Sequence, residues 1–196
     1  MTRGSTLPAH RLPHLTGRLP IPAQTRTSPA PLLDAFNAAP PEEAHETLLT
    51  CLSSPCWARR VADHRPYPTV EALLAASDEA AYDLTAADLA EALAAEPLPT
   101  LPADAYEAAH LALDAAHAAY EARFGHVFVI CLHEVAQEEL LDFTLEGIRS
   151  RLTNDPEEER VVAADELRRL ARGRLVAYLR GAGNCATSPN GAAPGT

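Results

Sequence analysis

Apolar side chains recur every three to four residues through most of the chain, as Leu89 and Leu93 do, or Leu141, Leu145 and Ile148. This spacing places such side chains on one face of an α-helix. Several of these segments follow residues that commonly begin helices, namely Ser54-Pro55, Thr69, Thr85 with Asp88, and Asp155-Pro156 with Glu158. The pattern predicts an all-α fold, a single-domain multi-helix bundle.

One segment breaks the helical pattern. Residues 120–132 read Y-E-A-R-F-G-H-V-F-V-I-C-L, so a helical segment reaches Phe124-Gly125 and then becomes the apolar, β-branched run 127–131. Such residues favour extended backbone, and glycine permits the positive φ at which many helices end. The sequence offers this strip no partner strand, so its backbone N–H and C=O groups need a loop or a bound ligand. The strip is therefore a candidate binding site.

The two ends of the chain differ from its middle. Residues 1–28 are rich in Pro, Thr and Arg, and residues 181–196 consist mostly of small residues with Gly and Pro. Neither end has apolar periodicity, which predicts two disordered tails. The folded domain is then residues 29–180.

Composition narrows the function classes. The net charge of −11 disfavours a nucleic-acid partner, because phosphate backbones would repel the chain. No apolar run is long enough for a membrane span, and no apolar segment of a secretory signal follows the N-terminal arginines, so we expect a cytoplasmic protein with no membrane partner. The four cysteines lack zinc-site spacing, which predicts reduced thiols and no metal.

Two motifs carry a resemblance to a known family. Phe124-Gly-His-Val-Phe-Val-Ile-Cys131 is similar to F-G-F-P-F-V-I-C, and Arg151-Leu-Thr-Asn-Asp155 matches R-L-x-N-D, both of the OHCU decarboxylase family. OHCU is 2-oxo-4-hydroxy-4-carboxy-5-ureidoimidazoline. The opening helices resemble the family's as well, at Phe36-Asn37, Glu42-Glu43, Leu48-Leu49 and residues 53–57. The resemblance covers residues 32–179.

The resemblance implies a bundle with one short extended strip and a decarboxylation in urate and purine catabolism that yields allantoin. This carbon–carbon lyase reaction needs no cofactor, because the substrate ring accepts the electrons that carbon dioxide leaves behind. The family uses a His-Pro at a helix end and a Glu-Gln within S-x-x-E-Q. A small molecule is the implied partner, and a homodimer is allowed. The implied substrate-binding residues are Pro97, Phe128, Val129, Ile130, Cys131 and Leu132.

The sequence departs from the family at both catalytic motifs. Glu96-Pro97 stands where the family has His-Pro, and S-x-x-E-Q has no clear match, although Asp104 and Glu107 keep part of its spacing. Glu96 is the candidate catalytic base, with a solvated helix-end residue as the alternative. Whether the chain is an enzyme is left open. It is either an OHCU decarboxylase or a catalytically silent paralogue that binds a small molecule or a protein partner.

Other polar residues have competing interpretations. His110, Asp114 and His117 share a helix face and fit a metal site, although a solvated polar stripe is the preferred interpretation. His126 either faces the pocket or sits in a loop. Arg151 and Arg174 match family arginines that suit a carboxylate or ureido ligand, with salt bridges to glutamates as the alternative. His133-Glu134 resembles half of a zinc-protease motif only by chance.

Overall fold

A computed structural model describes residues 31–101, 105–133 and 135–181. Within these ranges the chain forms α-helices joined by short loops and one 3₁₀ turn, Gln137–Glu139. The helices are α1 (Pro31–Ala38), α2 (Pro41–Cys51), α3 (Pro55–Asp63), α4 (Val70–Tyr82), α5 (Ala86–Ala95), α6 (Glu107–Phe124), α7 (Leu140–Arg151) and α8 (Pro156–Leu179). Apart from Gly181, the predicted tails lie outside the described residues, so their disorder stays a prediction.

The predicted helix starts are confirmed by their hydrogen bonds. Ser54 accepts from the backbone N–H of Trp57 at 3.3 Å, and Thr69 caps α4 in the same way. Thr85 with Asp88, and Asp155 with Glu158, form reciprocal capping boxes at α5 and α8. These side chains satisfy N–H groups that have no partner within the helix, which explains why the sequence signals were reliable.

The start of α6 differs from the prediction. The sequence suggests a helix from residue 103, whereas α6 begins at Glu107, after Tyr106 with extended backbone at φ −59° and ψ 139°. Among the described residues, no side chain forms a capping hydrogen bond at this end of the helix. Alanine-rich sequence favours a helix but marks no boundary, so the predicted start of α6 lies before the observed one.

The core has two parts. The larger part packs α1 to α5 against α8 around fully buried side chains such as Trp57, Leu48 and Leu175. The smaller part lies between α6 and α7 and includes Phe128 and Ile148. No described helix has the length and apolar character of a membrane span.

The non-helical strip runs between the two parts of the core. Val129 packs into the larger part, while its neighbour Phe128 packs into the smaller one. Side chains of an extended chain alternate between its two faces, so one strip can contribute to both. No β-strand forms among the residues that the structure describes, and the all-α fold is confirmed.

The strip begins with a left-handed glycine, as predicted. Gly125 has φ 75° and ψ 13°, and its N–H donates to Glu121 O at 2.8 Å. Two side chains from neighbouring helices then pair the strip's backbone. Arg151 Nη1 donates to Val129 O at 2.6 Å, and the N–H of Cys131 donates to Glu166 Oε2 at 2.7 Å. These side chains supply the pairing that a second strand would have given.

Arg151 belongs to a buried polar cluster around Glu159. The Glu159 side chain is completely buried, and its carboxylate accepts hydrogen bonds from Arg151 Nε at 2.8 Å, from Asn154 Nδ2 at 2.9 Å and from the Tyr120 hydroxyl. Burial raises the pKa of Tyr120 far above its ordinary value, so the phenol keeps its proton as a donor. Residues 151–159 thus connect α6, α7, α8 and the strip.

Gly125 provides a stability test of the helix-to-strip transition. A Cβ atom added there would meet no atom within 4 Å, so the left-handed φ is the source of strain. Gly125→Val should lower the free energy of unfolding by about 1–3 kcal/mol in urea denaturation. Gly125→Asn should cost less, because asparagine tolerates this conformation. Equal, near-wild-type stability of both variants would contradict the assignment.

Candidate functional site

A cavity of about 410 Å³ lies between the end of α5, the strip and α8. Its wall combines the loop after α5, residues of the strip and two α8 side chains. The lining residues are Glu96, Pro97, Leu98, Pro99, Thr100, Val129, Ile130, Leu132, His133, Leu170 and Arg174. The strip thus lies against the end of α5.

Glu96 is buried in this wall and paired with Arg174. Its backbone ends α5, and only 7% of the residue is exposed. Arg174 Nη1 lies 2.8 Å from Glu96 Oε1 and Nη2 lies 2.7 Å from Glu96 Oε2, so the two side chains form a bidentate ion pair. The alternative of a solvated helix-end residue is therefore wrong, because an α8 arginine reaches the helix end and neutralises the carboxylate there.

Arg174 is held on both sides. Besides Glu96, its Nη1 also donates to Cys51 O, the last residue of α2, at 3.0 Å. The hydrogen bonds to Glu96 raise the pKa of the Arg174 guanidinium, against the opposing effect of burial. The expected salt bridge of Arg174 to a glutamate is thus confirmed. The arginine also lines the cavity.

The strip residues divide between cavity and core. Val129, Ile130 and Leu132 line the cavity together with Pro97. Phe128 does not contribute its side chain there, because it is fully buried with its ring centroid 5.0 Å from that of Tyr120. A ligand contact at Phe128 would therefore involve its backbone, and the substrate-binding role of the strip residues stays a prediction.

His133 is a lining residue that the sequence analysis dismissed. Its Nδ1 lies 3.2 Å from Cys131 Sγ, and its ring rests on α8 at Gly173. A Cβ atom at Gly173 would come within 2.4 to 2.9 Å of the ring atoms. The available signal was the spacing of two, which places Cys131 and His133 on one side of an extended chain.

The cavity has few ionisable groups. Among its described lining residues these are Glu96, His133 and Arg174. Glu107, which keeps part of the S-x-x-E-Q spacing, is an exposed first residue of α6 and is not in the wall. Asp104 lies outside the described residues. The structure therefore shows no counterpart of the family's Glu-Gln pair within the part of the chain that it describes.

The proposed metal ligands on α6 do not form a site. Asp114 is exposed, whereas His117 is 5% exposed with its ring 6.1 Å from that of Phe128. In the described ranges no three His, Cys, Asp or Glu side chains cluster as a metal site requires. The preferred interpretation, a solvated stripe, is wrong at His117, because α7 and the strip cover that part of the helix.

His126 lies away from the Glu96 cavity. It lines another cavity of about 460 Å³, between α5, the end of α6 and the start of α8, together with Glu121 and Arg160. Its Nδ1 lies 3.0 Å from Val127 O, and its ring stacks on Phe124. This placement agrees with a loop histidine after a helix end. Arg151 pairs with Glu159, as the salt-bridge alternative expects, and lines neither of these two cavities.

Comparison with known proteins identifies the family. The family model described as OHCU decarboxylase matches residues 37–98 and 99–176, which is more than half of the chain. The chain therefore belongs to the OHCU decarboxylase family. The two matched pieces meet in the proline-rich loop between Leu98 and Pro99, where the sequence lacks a clear S-x-x-E-Q.

Solved structures show the same fold. A crystal structure of (S)-allantoin synthase superimposes with a TM-score of 0.62 at 18% identity, over 74% of this chain and 53% of the other, so the chain spans about half of that protein's length. A crystal structure of OHCU decarboxylase in the presence of (S)-allantoin gives 0.61 at 20% identity, over 72% and 99%. No curated protein matches the sequence.

The buried His117 predicts acid sensitivity. Burial lowers its pKa, whereas the unfolded chain protonates a histidine near pH 6.5. Below about pH 6.5 the unfolded state binds a proton that the folded state lacks, so the free energy of unfolding falls as pH falls. His117→Leu should make this fall shallower between about pH 6.5 and pH 5 in denaturant titrations. A slope equal to that of the wild type would contradict the prediction.

Proposed function

We propose that this chain is a small-molecule-binding member of its family, with a cavity suited to a neutral ureido or amide ligand and without OHCU decarboxylase activity. The observation that carries the proposal is the ion pair between Glu96 and Arg174. Glu96, which the sequence resemblance aligns with the family's histidine, is a buried carboxylate, and its partner is an arginine that also lines the cavity.

Decarboxylation makes two demands that the described cavity meets poorly. A group must act at the substrate carboxylate, and an acid must protonate the carbanion that remains. Both oxygens of Glu96 already accept hydrogen bonds from Arg174. An anionic substrate would be repelled by the Glu96 carboxylate, and both terminal nitrogens of Arg174 already donate to Glu96 and not to a ligand. The cavity therefore favours a neutral ligand.

The strip supports binding of an amide-like group. Val129 and Ile130 line the cavity. Within the described chain, some backbone groups of the strip, such as Val129 O and the Cys131 N–H, already have hydrogen-bond partners, which leaves other groups for a ligand. A ureido edge carries adjacent N–H and C=O groups, which complement the remaining backbone donors and acceptors. (S)-Allantoin, named with a solved structure of the same fold, is a neutral molecule with such edges.

The second candidate is OHCU decarboxylation to allantoin in urate catabolism. Family membership favours it, and so does one feature of the cavity. Glu96 and His133 both line the wall beside the strip, so a carboxylate and an imidazole face one volume. In this alternative Glu96 acts at the substrate carboxylate and His133 donates the proton. Neither group replaces the other, because they act at different moments.

Turnover distinguishes the two candidates. Freshly prepared OHCU decarboxylates spontaneously, so the rate and the optical activity of the allantoin formed are followed by circular dichroism with and without protein. We expect wild type, Glu96→Gln and Glu96→His all to match the protein-free reaction. Turnover by the wild type that Glu96→Gln abolishes would contradict the proposal and establish Glu96 as the base.

Binding is tested separately on the wild-type protein. Titration with (S)-allantoin should shift the backbone amide resonances of the cavity wall, at Val129, Ile130, Leu132 and Thr100. The amides of α5 at the other cavity, such as Ala86 and Ala90, serve as the internal control and should stay in place. Shifts confined to that control cavity, or none at millimolar ligand, would overturn the binding proposal.

A further inference from the structure

The cysteine and histidine at the end of the strip form a pair beside the cavity. Cys131 Sγ lies 3.2 Å from His133 Nδ1, which is hydrogen-bonding distance for a thiol and an imidazole. Both residues are accessible, Cys131 partly and His133 largely. His133 also lines the cavity, so the pair stands where a bound small molecule would be within reach.

Both members of the pair are held in place by α8. The N–H of Cys131 donates to Glu166 Oε2 at 2.7 Å, and the His133 ring rests on the bare backbone of Gly173. Any larger residue at Gly173 would displace the ring, since its Cβ would lie within 3 Å of three ring atoms. The short distance between sulfur and nitrogen is therefore a consequence of how the strip packs on this helix.

We propose that Cys131 is a nucleophile activated by His133, and that it forms a covalent adduct with small, neutral, amide-bearing electrophiles at the mouth of the cavity. Imidazole beside a thiol promotes the thiolate, which is the reactive form of cysteine. The proposal stands on this geometry and does not depend on the ligand proposed above. It adds a reactive thiol beside a cavity whose lining residues are otherwise proposed only to bind a ligand.

Charged side chains of α8 lie close to the pair. Glu166, which accepts from the Cys131 N–H through Oε2, also accepts from Arg169 Nη1 at 3.0 Å through its other oxygen, which offsets its charge. Arg174 lines the same cavity as His133, so the cavity beside the pair also contains a guanidinium cation.

The reaction balances with an α,β-unsaturated amide as the co-reactant. The thiol proton of Cys131 passes to His133 Nδ1, and the thiolate attacks the terminal alkene carbon to form a C–S bond. The π electrons of the alkene move to the carbon next to the carbonyl. That carbon takes the proton from the imidazolium, which returns His133 to its neutral form and leaves a thioether with no leaving group.

The other described cysteines lack this arrangement. Cys51 is buried at the end of α2, its thiol donates to Thr47 O at 3.7 Å, and burial raises its pKa, all of which oppose reaction. Cys56 is partly accessible on α3 and forms no thiol hydrogen bond with a described residue. Cys56 is therefore the matched internal control for accessibility without activation.

The test uses acrylamide, the smallest such amide, on the full chain under native conditions. Adduct formation at each cysteine is followed over time by peptide mass spectrometry. Cys131 should react at least about tenfold faster than Cys56, and its rate should fall less from about pH 8 to about pH 6. His133→Gln should bring both the rate and the pH dependence of Cys131 to those of Cys56.

Gly173→Ala provides an independent variant with His133 still present. Alanine favours the α8 helix, so loss of fold does not explain a loss of reactivity. The displaced ring should slow Cys131 about as much as His133→Gln does. Equal labelling of Cys131 and Cys56 in the wild type, or a Cys131 rate that His133→Gln leaves unchanged, would overturn the proposal.

Discussion

The buried carboxylate of Glu159 lies where α6, α7, α8 and the strip meet, and the packing of these elements depends on satisfying it. An isolated carboxylate would cost several kcal/mol to bury, and this cost is avoided only when charge and hydrogen bonds are both supplied. Tyr120 of α6 supplies one hydrogen bond, and Arg151 and Asn154, at the end of α7 and in the turn that follows it, supply the charge and the others. Arg151 then extends the cluster to Val129 O, which fixes the position of the strip.

A second ion pair has a different consequence for the molecule. Glu96 and Arg174 join the end of α5 to α8, and both side chains also form the wall of the cavity. The Glu159 cluster joins α6, α7, α8 and the strip. The Glu96 pair instead removes two charged groups from the set available to a ligand. The position of the strip and the charge of the cavity wall therefore depend on two separate sets of contacts.

Local signals carried much of the fold prediction. Capping residues such as Thr85 and Asp155, and the glycine at position 125, act through their own backbone neighbours, so the sequence shows them directly. Glu96 became a candidate through the family resemblance, because Glu96-Pro97 stands where the family has His-Pro. Its burial was not foreseen, since that depends on Arg174, which lies 78 residues further along.

Contacts between distant segments account for the other differences. His117 belongs to a polar stripe by helical spacing alone, yet the strip and α7 cover it. Phe128 and Val129 are neighbours that pack into different parts of the core, which follows from alternation once the strip is known to be extended. His133 became a candidate only when the structure placed it between Cys131 and Gly173.

Glu96 and Arg174 bind each other within the cavity wall, and a double-mutant cycle measures the energy of this interaction most directly. Glu96→Gln and Arg174→Met, singly and together, would be compared by urea unfolding with Glu146→Gln and Arg149→Met. The control pair has the same 2.7 Å distance but is exposed to solvent. We expect a coupling energy above about 1 kcal/mol for Glu96–Arg174 and below that for the exposed pair. Equal coupling energies would contradict the claim.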